Sequence, residues 1–447
     1  MVSDGTEDGV SSQSIKSRLE EGTQNTVFRD KSLLNPDRVI DEDRIVGRDQ
    51  QLDDVINSLQ PALRGSRPPN LLLYGPSGTG KSLIINAVCQ QIEALAVNQG
   101  DRFGVIDINC QTISTHDRAV YRLVESAAES AGVEPEVPQT GVSTDHKLSR
   151  LYEILDEEFD SGIIILDEID LLTGRTRDQR SEPGYSKLLY QLSRTAQVGE
   201  IDSRISVAAL TNDPRFMEDL DGRAESSFNP EDVTFPDYDA NELRSILTYR
   251  RDAYRDGVLG DDVVPLSAAH AAQDHGDARK AIDLFRKAGE LADRHGDNTV
   301  LEDHVREAQE EAARDRTLTQ MRGLSAQKKL ALYSAAVVSV FDDQLDAVPN
   351  TLGYDVYQYL ADLVDIDQKS RDTYLRYLSE SETYNFVVSK TEGHGYGSGV
   401  HKEYSFVDDP KTVMETLEKG IRMDEITDNK ELIESVVDAQ VSEFLER

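Results

Sequence analysis

The sequence predicts an α/β core of parallel strands, then an all-helical unit, then a winged helix. Three observations carry this reading. First, four short apolar runs at 70–74 (NLLLY), 102–109 (RFGVIDIN), 162–166 (GIIIL) and 204–211 (RISVAALT) suit buried parallel strands, and amphipathic helices such as 81–97 and 147–159 alternate with them. Second, strand-like runs stop after Pro236, and 241–255, 264–272, 277–294 and 301–314 read as four helices. Third, helices at 326–341, 351–363 and 368–378 precede two β-prone runs, 383–390 and 403–407, joined by a glycine-rich stretch.

Residues 1–36 are polar and acidic and read as a mobile tail. The nucleotide-type α/β core is expected over 37–235, the helical unit over 236–317 and the winged helix over 318–408. A tail over 409–447 carries a last helix at 428–445. A chain of 447 residues suits two or three domains.

The charge sets a constraint. The formal net charge is −36, from 84 acidic residues against 48 basic ones, and Lys (15) is scarcer than Arg (33). The acid is spread along the chain. Two explanations compete: a surface tuned to one partner, or adaptation to a salty cytoplasm. Even spread and scarce lysine favour the second. No apolar stretch approaches the ~18 residues of a membrane span, and residues 1–14 have neither a basic nor an apolar segment of a signal peptide. Two cysteines, Cys89 and Cys110, make no disulfide framework. A cytoplasmic protein, not associated with membrane, is expected.

Gly75-Pro76-Ser77-Gly78-Thr79-Gly80-Lys81-Ser82 fits G-x-x-x-x-G-K-[ST], after a strand and opening a helix. Glycines let successive N–H groups turn towards phosphate oxygens, and the helix N-terminus adds its positive dipole end. Lys81 would reach the β- and γ-phosphates, Ser82 would ligate Mg²⁺, and Leu83 follows in the same turn. A chance glycine-rich turn is the bland alternative; the flanking strand and helix disfavour it. Residues 163–170 (IIILDEID) form an apolar strand ending in acids. Asp167 would hold Mg²⁺, and Glu168 would deprotonate the attacking water. ATP or ADP with Mg²⁺ is therefore the expected ligand set.

These residues resemble the AAA+ ATPases and, within them, the archaeal origin-recognition and helicase-loader initiators, over roughly residues 34–407. The likeness and the acidity together point to a halophilic archaeon. The resemblance implies an AAA+ core with an all-α lid. Val46, in 46–50 (VGRDQ), stands in the adenine-side box. Asn212, in 211–213 (TND), matches sensor 1 and would position water. Arg223, in 220–228 (LDGRAESSF), matches the arginine finger and would act on the nucleotide of a neighbouring subunit. That segment departs from many relatives at Ala224-Glu225 and lacks a second arginine at Ser227. Arg279, in 276–281 (GDARKA), matches sensor 2. Tyr238 and Arg250 match the domain junction that closes over nucleotide. Each arginine has the alternative of a surface ion pair.

In the winged helix, 368–376 would be the recognition helix, with Leu375 and Leu378 inward and Lys369, Ser370, Arg371 and Tyr374 outward toward DNA. Gly395, Gly397 and Lys402 in the wing would approach phosphates. The alternative is a winged helix used for protein contacts. Charge adds a little: 320–407 holds 8 basic against 12 acidic residues. A further DNA-touching insertion is expected near 112–122. The reading is a weak ATPase: a replication initiator that binds double-stranded origin DNA, associates with neighbouring initiator subunits and recruits the replicative MCM helicase, with slow hydrolysis as a switch. An ATP-gated transcription regulator is the alternative, and a clamp-loader-like remodelling ATPase a third reading that sensor 2 and the wing oppose.

Overall fold

A computed structural model of the chain describes residues 26–36, 45–173, 183–195, 201–341, 345, 347–392, 401–419, 426 and 429–446. The chain divides into two compact units, 1–307 and 308–447. The core and the lid thus cluster together, and the division falls inside one helix, Glu302–Arg322, which runs past the expected lid end at 317.

The first unit is built on a parallel sheet of β1 (Leu71–Tyr74), β2 (Phe103–Asn109), β3 (Ser161–Asp167), β4 (Arg204–Thr211) and β5 (Glu231–Thr234), in the order β2-β3-β4-β1-β5. Position in the sheet explains the sequence patterns. The central strands β3 and β4 are covered on both faces and read as unbroken apolar runs. The edge strand β2 alternates at its far end, leaving Asp107 and Asn109 exposed. The other edge, β5, is a fifth strand that the four apolar runs did not include. Its sequence is EDVT and only Val233 is buried. Two apolar clusters fill the two faces, one around Leu123, Leu151 and Leu188, the other around Leu73, Ile85 and Ile163.

This order decides where chemistry can gather. β4 lies between β3 and β1, so the residues after β1, β3 and β4 meet at one crevice at the carboxyl ends of the strands. The glycine loop follows β1 and opens the helix Lys81–Gln99. The helices Ala240–Thr248, Val263–Gln273 and Ala278–His295 form the lid, the first closed by a reciprocal Asp239–Glu242 capping box.

Two expected tails are corrected in part: residues 1–25 lie outside the described residues, and the last helix expected at 428–445 is present as Lys430–Glu446. Residues 26–36 are packed: Val27, Phe28 and Leu34 are buried, and the Val27 N–H donates to Asp293 Oδ1 at 2.7 Å. Residues 409–447 are part of the second unit. Pro410–Glu418 and Lys430–Glu446 are helices, and Val413, Leu417, Ile433, Val437 and Val441 enter its core.

The second unit otherwise has the expected order: Ala326–Phe341, Asn350–Leu363 and Arg371–Thr383, then β7 (Val387–Glu392) and β8 (His401–Phe406). A short β6 (Val348–Pro349) adds an antiparallel sheet of order β6-β8-β7. No helix among the described residues is long and apolar enough to cross a membrane.

Candidate nucleotide site

A cavity of about 400 Å³ in the first unit is lined by Ser77–Leu83, Asp167, Glu168, Asn212, Tyr238, Arg250 and Arg279, with Val46 among its apolar residues. Gly75 and Pro76 lie behind it and take part through their carbonyls. Lys81 is buried. Its Nζ donates to Gly75 O (2.6 Å), Pro76 O (2.8 Å) and Asn212 Oδ1 (2.7 Å). Desolvation lowers its pKa to about 8, with Arg279 adding to the depression and Asp167 opposing it. Ser82 Oγ donates to Asp167 Oδ2 at 2.7 Å, so a hydroxyl and a carboxylate already share one point. That hard-oxygen pair fits a Mg²⁺ ligand set.

The loop is shaped for close approach. Gly78 and Gly80 have φ of 74° and 96°. A Cβ on Gly78 would collide with the Asp277 carboxylate, while the Ala278 N–H donates to Gly78 O at 3.2 Å. The start of the helix Ala278–His295 therefore sits directly on the glycine loop.

Glu168 is held at φ 51°, ψ 42°, in the left-handed region that costs a non-glycine residue about 1–3 kcal/mol. Its Oε2 is buried with no hydrogen-bond partner among the described residues. Burial, then the neighbouring Asp167, raises its pKa, which makes it a stronger proton acceptor.

Arg48 carries a role that sequence reading missed. It is 3% exposed. Its guanidinium donates to Thr79 O (2.9 Å), Gly47 O (3.0 Å) and Pro236 O (2.5 Å), and lies 3.5 Å from the Tyr238 ring centroid. It ties the phosphate loop to the domain junction. The sequence signal was only a basic residue after Val46-Gly47, and its hydrogen-bond partners lie up to 188 residues away. Also missed were Pro36, Asn86, Asn109, Gln111 and Ile282, all lining the cavity.

Arg223 is outside the cavity. Its Nε lies 3.2 Å from Asp221 Oδ1, its guanidinium 5.6 Å from the Tyr190 ring centroid, and its side chain is 67% exposed. A finger that acts on a neighbour would stand clear of its own cavity in this way.

In the second unit, Tyr374 is corrected. It is fully buried, its ring centroid 5.5 Å from that of Tyr354 and 5.4 Å from that of Tyr357, and it cannot reach DNA. Ser370 caps the helix, which begins at Arg371, so Tyr374, Leu378 and Ser381 form the inward stripe and Leu375 is only half-buried. Arg371 is exposed, and its Nη2 donates to Asn350 Oδ1 at 3.0 Å. Lys369 is half-buried, its carbonyl accepting from Tyr354 Oη. Lys402 lies 3.5 Å from Glu382. Gly395 and Gly397 lie outside the described residues. The expected insertion near 112–122 spans a short turn and the start of the helix His116–Ala131.

Among the described residues, one other cluster has metal-ligand chemistry: His295, Asp297 and His304. The His304 Nδ1 accepts from the Leu301 N–H, which leaves the proton on Nε2 to meet Asp297 at 3.0 Å. The ring is satisfied as a helix-start brace.

Comparison with known proteins agrees with this geometry. An AAA ATPase domain model matches residues 44–201, a Cdc6 AAA+ ATPase-type lid domain model 244–310, and a CDC6 C-terminal winged helix domain model 319–416. The ORC1-type DNA replication protein 5 of Halobacterium salinarum is 53% identical over 94% of this chain and 98% of its own length. The chain belongs to the ORC1-type DNA replication proteins. Within that family, the ORC1-type DNA replication protein 14 of Haloarcula marismortui is 48% identical over 96% of this chain and 100% of its own. Among solved structures, the Aeropyrum pernix ORC1 protein in complex with DNA is similar at 35% identity and a TM-score of 0.64, covering 88% of this chain and 97% of that one. Cdc6p of Pyrobaculum aerophilum, at 18% identity and a TM-score of 0.53 over 89% of this chain and 99% of that one, shares the fold. This ORC1-type chain is thus an AAA+ module with a lid and a winged helix, of the DNA replication initiation class, and its halophilic relatives suit its acidity.

Proposed function

We propose that the protein is an ATP-dependent initiator that binds double-stranded origin DNA and recruits the replicative MCM helicase, with slow ATP hydrolysis as its switch. The convergence of Lys81, Ser82, Asp167, Glu168 and Asn212 at the ends of three adjacent strands carries the ATPase part. Ser82 and Asp167 would hold Mg²⁺, which supplies charge neutralisation on the phosphates. Lys81 and Arg279 bind phosphate oxygens. Asn212 orients a water, and Glu168 takes its proton. Val46, Tyr238 and Arg250 enclose the base end. Arg223 would complete the site of a neighbouring initiator subunit, so hydrolysis would report assembly.

The DNA part is supported by the 35%-identical relative solved on DNA. Lys369, Ser370, Arg371, Lys402 and the wing around Gly395 and Gly397 are the proposed contacts, helped by the segment near 112–122. A nucleoid-associated place in the cytoplasm follows from that role.

One experiment tests both parts. Glu168→Gln is expected to keep ATP bound without turnover and to footprint on the DNA flanking its own gene, whereas Lys81→Ala loses ATP. Normal turnover by Glu168→Gln would remove the base. Genome-wide binding confined to promoters would overturn the initiator role.

A further inference from the structure

Asp170 is the third acid of the run that ends β3, and nothing above gives it work. It sits in the single turn Ile169–Leu171 that follows Glu168. Its Oδ1 accepts from Thr211 Oγ1 at 2.7 Å. Thr211 is the last residue of β4, is 1% exposed, and directly precedes Asn212. The Thr211 hydroxyl also accepts from the Asp213 N–H at 3.0 Å, and its carbonyl accepts from the Gly75 N–H at 3.3 Å. Asn212 in turn accepts from Lys81.

One carboxylate thus cross-links two strand ends. On one side is the turn that holds Glu168 in a strained left-handed conformation. Such a conformation persists only where its surroundings over-determine it. Two backbone bonds brace the turn from within, Leu171 N–H to Glu168 O and Leu172 N–H to Ile169 O, both 3.0 Å. The Asp170–Thr211 bond is its tie to the neighbouring strand. On the other side is the residue that orients the water. The base and the water-orienting amide must hold a fixed mutual geometry to act on one water molecule.

We infer that Asp170 is a positioning residue for hydrolysis: through Thr211 it sets Glu168 and Asn212 relative to each other without touching nucleotide. The inference rests on the ATPase reading above. Because Asp170 acts only through that link, its loss should slow the chemical step and spare binding.

The test measures single-turnover hydrolysis and ATP affinity in the full-length protein. Asp170→Ala should lower the rate by roughly 10- to 100-fold with ATP affinity within about threefold. Thr211→Val should do the same. Asp170→Asn keeps an acceptor oxygen for the threonine hydroxyl and should recover most of the rate. Asp170→Ala and Asn212→Ala should be non-additive, since the first acts through the second. A purely structural role would instead lower melting temperature and affinity together, with additive effects. Wild-type turnover by Asp170→Ala, additivity with Asn212→Ala, or no recovery in Asp170→Asn overturns the inference. Glu168→Gln separates the two readings: if that variant hydrolyses normally, the assignment of Glu168 as the base fails; if it is dead while Asp170→Ala turns over normally, only the role of Asp170 is lost.

Discussion

A lysine surrounded by two carbonyls and an amide oxygen pays for its place with its own proton affinity. Burial brings Lys81 to about 8 from an ordinary 10.5. Between those values the folded protein holds fewer protons than the unfolded chain, so this group contributes stability as pH rises through that window and opposes folding below it. Phosphate oxygens beside Nζ reverse the shift, because an opposite charge favours the ammonium. ATP binding should therefore be independent of this group below about pH 8 and weaken above it, by up to about tenfold per unit, with uptake of close to one proton near pH 9. Titration calorimetry in two buffers of different ionisation heat reads that uptake directly. Equal heats near pH 9 would show that Lys81 is already charged without nucleotide. Among single residues, the loop motif was legible because its chemistry is contiguous in the chain. Arg48 was not, since its meaning lies in carbonyls at Thr79 and Pro236 and a ring at Tyr238.

At the scale of elements, the segment 26–36 shows how a polar, unpromising stretch becomes structure. Its Phe28 lies 4.8 Å, centroid to centroid, from Tyr254, and both rings occupy the space beside Gly289 where a side chain would stand. Arg29 and Asp30 donate their N–H groups to Ala253 O, and Lys31 pairs with Glu290 at 2.9 Å. The strap ends at Pro36, which lines the nucleotide cavity. A methyl at 289 has no room, so Gly289→Ala should expel the Phe28 ring and cost about 1–3 kcal/mol. Phe28→Ala should cost about 3–5 kcal/mol in the wild type and clearly less on the Gly289→Ala background. Thermal unfolding of the four proteins of this cycle checks it; additive losses would mean that the strap and the lid do not share this contact. The sequence concealed the strap because one aromatic and three aliphatic residues in a polar run show no periodicity. It concealed β5 because an edge strand needs only Val233 inward. The helix expected to carry recognition is present as Arg371–Thr383 but rotated: reading Leu375 with Leu378 as the inward pair placed Tyr374 outside, whereas the Ser370 cap sets the register that buries it.

For the whole molecule the question is how a chain of net charge −36 holds a polyanion. The winged-helix stretch 320–407 carries −4 over 88 residues, against −32 over the other 359, so repulsion is concentrated elsewhere in the sequence. The proposed cationic contacts are few: Lys369, Arg371 and Lys402. Lys402 is partly committed to Glu382. Each phosphate neutralised by a cation contributes about −0.9 to the slope of log affinity against log salt, so these three winged-helix contacts contribute about −3. A generally basic DNA-binding domain has a far steeper one and loses its grip in concentrated salt. The shallow slope is what lets binding survive there, with groove hydrogen bonds and shape carrying specificity. Arg371→Ala should weaken binding to the flanking DNA and make the slope shallower by about 1, leaving ATP hydrolysis unchanged. Anisotropy titrations across a salt series measure both quantities. A variant that binds with wild-type affinity and slope would place the DNA surface away from the helix Arg371–Thr383.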